Sequence, residues 1–164
     1  LINGFTGPVY PVNPSAPYVH SILAYPSVLD IPDPVDLAIV VVPAAAVADA
    51  LDECGRKGAK GVVVISAGFS EVGDEGSAME AAIVTSARRR GMRLVGPNCM
   101  GLLNTDANIS MDGQFGPTFP PRGNVAMASQ SGALGIAILE QAAAMNIGIS
   151  TFVSLGNGAD VSPT

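Results

Sequence analysis

Apolar, β-branched runs about one strand long alternate along this chain with stretches whose apolar positions recur at helical spacing. That alternation predicts an α/β fold with a parallel sheet covered by helices on both faces. Residues 37–42, all apolar, predict a buried strand stopped by Pro43. From Ala44 to Arg56 the residues Val47, Leu51 and Cys54 share one helical face, and Gly55 and Gly58 offer its end. Residues 61–66 predict the next strand, followed by a glycine-bearing loop over 67–73 and a helix from about Asp74 to Arg90. Acids open that helix and Arg88, Arg89 and Arg90 close it, the polarity its dipole favours, so a solvated helix end is expected there. Residues 93–95 predict a short strand that runs into Gly96-Pro97-Asn98-Cys99. Upstream, residues 8–14 predict a strand leaving a turn at Gly4 and Gly7, and residues 1–4 read as the last turn of a helix whose preceding strand is absent.

Residues 105–123 change character, with Gly113, Gly116, Pro117, Pro120, Pro121 and Gly123 and no strong periodicity, which predicts a linker and a domain boundary. The strand-helix-strand rhythm then restarts over 124–128, 132–145 and 150–154. The expected division is a first domain over 1–120, lacking its N-terminal strand, and the incomplete start of a second over 121–164.

Composition narrows the function. With 164 residues, 48% of them hydrophobic, the chain can bury a substantial core. Its apolar runs fall short of the roughly 20 residues that span a bilayer, so no membrane partner is expected. A net charge of −6 argues against nucleic acid, whose binding draws on clustered Lys and Arg. Cys54 and Cys99 lie far apart, without His or Cys neighbours at metal-ligand spacing, which fits a reduced, cytoplasmic setting and no metal site.

In open parallel sheets, ligands sit beyond the carboxyl ends of the strands. That rule selects five loops: Val12-Asn13-Pro14-Ser15, Val42-Pro43-Ala44, Ser66-Ala67-Gly68-Phe69, Gly96-Pro97-Asn98-Cys99 and Ser129-Gln130-Ser131-Gly132. They offer backbone amides, small side chains and one aromatic face, but no carboxylate pair, Ser-His-Asp set or metal cluster. The surface therefore reads as one for binding, and no residue is assigned a catalytic role.

The segments VYPVNP, VDLAIVVVPA, GVVVISAGFSE, LVGPNCMGLLN, GNVAMASQSGALG and SLGNGADV occur in this order along nearly the whole chain. Together they resemble the nucleoside-diphosphate-forming acyl-CoA synthetases, a superfamily that includes the succinyl-CoA synthetase α subunit and the ADP-forming acetyl-CoA synthetases. The resemblance implies a Rossmann-like CoA-binding domain followed by the opening of a flavodoxin-like ligase domain. It implies chemistry in which acyl-CoA and phosphate give an acyl phosphate, the phosphoryl group passes to a histidine, and a nucleoside diphosphate accepts it. It places Val12 to Ser15 near the adenosine end of CoA, Val42, Pro43 and Ala44 along the nucleotide, and Ser66, Ala67, Gly68 and Phe69 with Pro97, Asn98 and Cys99 along the pantetheine arm. Ser129, Gln130, Ser131 and Gly132 then present a helix N-terminus to phosphate or phosphohistidine. ATP or ADP with Mg²⁺, and an ATP-grasp domain or β subunit, belong to the full-length protein, which is expected to be an oligomer.

Many relatives carry a lysine where this chain has Ser15, the glycine-rich turn that contacts CoA is absent, and the one histidine, His20, falls in the first domain rather than in the ligase domain. The segment alone is therefore expected to be inactive. Two other readings stand beside the synthetase. One is a CoA-sensing regulatory module of a protein acetyltransferase fusion. The other takes Ser131 as a hydrolase nucleophile, but that elbow wants glycines where this chain has Ser129 and Ala133.

Overall fold

The computed structural model of the chain describes residues 4–163. A small antiparallel hairpin, β1 (Tyr18–Val19) and β2 (Ile22–Leu23), comes first, and its turn holds exposed His20 at φ 48°. A parallel sheet follows, in the order β3 (Leu37–Val40), β4 (Gly61–Val64), β5 (Arg93–Val95). Its crossovers are α1 (Ala44–Lys57) and α2 (Asp74–Arg89). Helix α1 buries Val47, Leu51 and Cys54, the face its periodicity predicts. It ends where Gly58 turns left-handed at φ 93° and donates its N–H to the carbonyls of Cys54 and Gly55, a geometry that glycine adopts without strain. The sheet and both helices enclose one core, centred on Leu51, Val62, Val64, Phe69 and Leu94.

The second sheet contains β6 (Gly101–Asn104), β7 (Met111–Gln114), β8 (Arg122–Ser129) and β9 (Ile149–Ser154), in the order β7-β6-β9-β8. Strands β8 and β9 are parallel, joined by the crossover α3 (Gly132–Ala144), whereas β6 runs antiparallel to both β7 and β9. A second core gathers Met100, Leu103, Leu139, Ile149 and Phe152. Among the described residues β8 pairs only with β9, and Val125 on this edge strand is exposed together with Leu134 and Ile138 of α3.

Two expectations are corrected. Residues 8–14 form no strand: Val12 makes an isolated bridge to Tyr25, and Pro8, Pro11 and Pro14 have no N–H with which to continue a ladder. The stretch 105–123 is more than a linker, because it contains β7 and the start of β8. The sequence Met-Asp-Gly-Gln lacks apolar alternation, and its strand conformation is imposed by pairing with β6. There Gly101 sits at φ 108°, and any side chain on it would collide with the Gly113 carbonyl. Strands β6 and β7 thus precede residue 121 in sequence yet hydrogen-bond into the second sheet. The helical turn expected over residues 1–4 falls largely on residues 1–3, outside the described residues. No helix among the described residues is long and apolar enough to cross a membrane.

Candidate functional site

The three strand ends of the first sheet are hydrogen-bonded to one another. The Ser66 hydroxyl donates to the Val42 carbonyl at 2.5 Å and accepts the Val42 N–H at 3.2 Å, while the Asn98 N–H donates to the Ser66 carbonyl at 2.9 Å. Val42 to Ala44, Ser66 to Phe69 and Pro97 to Cys99 therefore form one continuous edge. Along it Gly68, at φ 102°, approaches Ala44 so closely that a Cβ would lie 3.1 Å from that methyl. Helix α1 starts at this edge behind Pro43, with no side-chain cap. The Phe69 ring is fully buried in the first core, so the aromatic face expected at this edge is not presented to it. Cys99 is buried as well. Its thiol donates to the Val64 carbonyl at 3.3 Å, and burial pushes its pKa up. Val12 to Ser15 are held from another direction: the Asn13 N–H donates to Tyr25, and the Asn13 side chain accepts the N–H groups of Ser15 and Ala16, closing its own turn.

On the second sheet, β8 delivers the chain through Ser129 and exposed Gln130 to the start of α3. Ser131 is the N-cap of this helix, accepting the Leu134 N–H at 3.2 Å, and the Ser129 hydroxyl donates to the Ser131 carbonyl at 2.8 Å. A cap of this kind stabilises a helix by about 1 kcal/mol. Gly132 packs on Met100, where a Cβ would meet the Met100 Cβ at 3.5 Å, an ordinary contact. Between Asn98 and Cys99 on one side and Gly132 and Ala133 on the other opens a cleft of about 360 Å³. The strand-end loop after β5 and the turn before α3, selected separately in the sequence, thus face one space. Among the described residues no three His, Cys, Asp or Glu side chains come together as a metal cluster.

The turn after β9 carries contacts that sequence reasoning misses. The Asn157 side-chain amide donates to Glu71 and Glu80 carboxylates, both at 2.7 Å, and accepts from Asn98 at 3.3 Å. Its backbone N–H reaches the Pro97 carbonyl at 3.0 Å, and the Ala159 and Val161 N–H groups reach Gly96 and Leu94. Asp160, with a side chain only 1% exposed, accepts from Arg88 at 2.7 Å, from Arg93 at 2.9 Å and from the Leu94 N–H at 2.9 Å. The end of α2 is solvated as expected, with Arg88, Arg89 and Arg90 all exposed, but two of the three also form ion pairs, Arg88 with Asp160 and Arg90 with Asp52. The segment SLGNGADV is conspicuous in the sequence, but the partners of Asp160 lie 66 to 72 residues away, beyond the reach of local pattern.

Two carboxylates in this network are held ionised. Burial opposes the charge on Glu71, but Asn157 and the N–H groups of Gly68 and Phe69 outweigh it and hold its pKa down to about 2. Burial likewise opposes the charge on Asp160, and Arg93, the Leu94 N–H and Arg88 overcome it, so its pKa is lowered. Both groups sit below their unfolded values near 4. Their stabilisation is therefore present above about pH 4 and lost as pH falls through the folded values. Urea midpoints of the wild type are expected to drop between pH 5 and pH 2, and those of the double variant Glu71→Gln/Asp160→Asn to drop less. Parallel pH curves would remove both carboxylates from the acid response.

Strand ends and a helix start from two sheets converge on one cleft, the place where α/β proteins as a class hold their ligands. Residues 3–105 match the family described as CoA binding domain, and residues 122–164 match the succinyl-CoA ligase like flavodoxin domain. The chain belongs to the nucleoside-diphosphate-forming acyl-CoA synthetase superfamily. It is 47% identical over 160 residues to an ADP-forming acetate–CoA ligase of Methanocaldococcus jannaschii, an alignment covering 98% of this chain and 22% of that protein. It is 50% identical over 155 residues to the α subunit of ADP-forming acetate–CoA ligase II of Pyrococcus furiosus, covering 94% of this chain and 33% of the subunit. The structure of acetyl-coenzyme A synthetase 1 of Ca. Korarchaeum cryptofilum, in complex with phosphate and ADP, superposes with a TM-score of 0.91 at 45% identity, over 99% of this chain and 34% of that one. The chain thus spans between about a fifth and a third of these relatives' length.

Proposed function

We propose that this chain is the CoA-binding portion of an enzyme that interconverts acyl-CoA, phosphate and ADP with the free carboxylate, CoA and ATP. The observation that carries the reading is the single cleft shared by the Asn98-Cys99 loop and the start of α3. In this reading CoA lies across the first sheet, with its adenosine end towards Val12 to Ser15, its nucleotide along Val42 to Ala44 and its pantetheine arm along Ser66 to Phe69 and Pro97 to Cys99. The small side chains of Ala67 and Gly68, and a helix start at Ala44 without a side-chain cap, suit close passage of an anionic ligand. Phosphate sits at Ser129 to Gly132. Since the Ser131 hydroxyl caps Leu134, the attraction there comes chiefly from backbone N–H groups and the α3 dipole.

A phosphate oxygen then attacks the thioester carbonyl, the C–S bond breaks, and CoA leaves as a thiolate that takes up a proton. The resulting acyl phosphate gives its phosphoryl group to a histidine outside the described residues, releasing the carboxylate, and ADP accepts the phosphoryl group to become ATP. The solved relative bound to phosphate and ADP supports a nucleotide site, and the relative that is an α subunit supports a second subunit; in this reading an ATP-grasp domain or β subunit holds the nucleotide together with Mg²⁺. A cytoplasmic, oligomeric enzyme, with its domains divided near residue 120, completes the proposal. The regulatory alternative finds no support in the relatives. With the full-length protein, acetyl-CoA, phosphate and ADP are expected to yield ATP in amounts equal to the CoA released; absence of ATP formation overturns the proposal.

A further inference from the structure

The cleft between the two sheets has a floor and walls that neither strand-end loop supplies. Met100 forms the floor. Its side chain lies between the first turns of α3, where Cβ atoms placed at Gly132 and Gly135 would meet it at 3.5 Å, and the loop after β7, where one at Gly116 would meet it at 3.0 Å, and its N–H is held by the Ser154 hydroxyl at 3.0 Å. Ile65, at the end of β4, and Ile136, on the inner face of α3, form walls. Phe115, fixed by donation of its N–H to the Met100 carbonyl at 3.2 Å, stands at the mouth with 66% of its surface exposed. The lining carries no Lys, Arg or His.

We infer that this apolar cleft holds the acyl group of the thioester, and that Phe115, Ile136 and Ala133 set the length of chain it accepts. The inference rests on the proposed function and assigns a part of the site that the reading leaves open. The acyl carbon must touch the CoA sulfur at one moment and a phosphate oxygen at the next. If the pantetheine arm arrives past Asn98 and Cys99, and phosphate sits at the start of α3, the space between them belongs to the acyl group. A volume of about 360 Å³ is near the lower end of the roughly 300–1,000 Å³ of small-molecule sites. It suits the end of the arm and a short chain rather than a bulky one. The apolar lining gives each added methylene favourable burial until Ile136 and Phe115 obstruct it.

The test uses the full-length enzyme with acetyl-CoA, butyryl-CoA and hexanoyl-CoA, reading kcat/KM for phosphate- and ADP-dependent ATP formation. One methylene in such a pocket is worth roughly tenfold in discrimination. Phe115→Ala and Ile136→Ala are expected to raise the hexanoyl-to-acetyl ratio by about tenfold or more, and Ala133→Leu to lower it by a similar factor. Phe115 and Ala133 are exposed, so those two variants keep the test open if Ile136→Ala fails to fold. An active wild type whose folded variants keep the ratio within about twofold overturns the acyl assignment and leaves the proposed function standing. A wild type that forms neither ATP from acyl-CoA nor a phosphoenzyme from ATP overturns the proposed function, and the assignment with it.

Discussion

Gly156→Ala is expected to destabilise the chain by about 2–5 kcal/mol. Gly156 sits at φ 57° in the turn after β9. A left-handed conformation costs a residue with a side chain roughly 1–2 kcal/mol. The larger part comes from its surroundings. A Cβ would run into the Pro97 carbonyl oxygen and lie 2.5 Å from that of Asn98. Those atoms are backbone, with no rotamer to yield, and overpacking of this kind costs about 1–3 kcal/mol. The turn bearing Asn157 and Asp160 could then no longer dock on the Gly96 to Asn98 loop. Gly158→Ala provides the comparison. Its φ is 66°, but the nearest atom to an added Cβ is 3.8 Å away, so the conformational penalty alone remains. Thermal unfolding should show a fall of about 10 °C for Gly156→Ala and a few degrees for Gly158→Ala. Equal shifts would mean that docking of the turn contributes little.

Gly132→Val in the full-length protein is expected to lower phosphoenzyme formation at least about tenfold. At this position space is available for a methyl group, since a Cβ would meet Met100 at no less than 3.5 Å. Gly132→Ala should therefore fold normally and lose little. Valine adds two branches at the first residue of α3, where in the proposed function phosphate approaches the backbone N–H groups closely. CoA affinity is the control, because in the proposed function all but the end of the CoA arm lies along loops of the first sheet. Equal phosphorylation in wild type and valine variant would reduce the turn to the helix cap that the Ser131–Leu134 bond already makes it. Loss of CoA binding with an unchanged thermal midpoint would mean that the valine obstructs the arm in the shared cleft, and loss of both would mean misfolding.

The first sheet is legible in the sequence because its signals are local. Val47, Leu51 and Cys54 mark one face of α1, Gly58 its end, and uninterrupted valines mark β4, so periodicity and punctuation suffice. The second sheet is only half legible. Strand β8, α3 and β9 announce themselves, whereas β6 and β7 are short, carry glycines, and become strands through pairing, β6 with β9 across some fifty residues and β7 with β6. The loops follow the same division. Strand-end position identifies Ser66, Asn98 and Gly132, but it does not show that the Ser66 hydroxyl is engaged by Val42, that Phe69 turns inward or that Asn13 closes its own turn. Asp160 is the extreme case. A single acid in an apolar turn has no visible partner until folding brings Arg88, Arg93 and the Leu94 N–H to it.

The Asp160–Leu94 bond also bears on the order in which the chain matures on the ribosome. Leu94 is synthesised 66 residues before the carboxylate that accepts its N–H. At about 5–20 residues per second, that interval lasts on the order of several seconds. During it the first sheet can collapse around Val62, Val64 and Leu94 while the rim of β5 waits for its partner. Arg88 and Arg93, more than half exposed even in the finished fold, keep that rim hydrated and cationic until the acid arrives. The nascent first sheet is thus carried through its unfinished interval with charge rather than apolar surface at the place where the late turn must land.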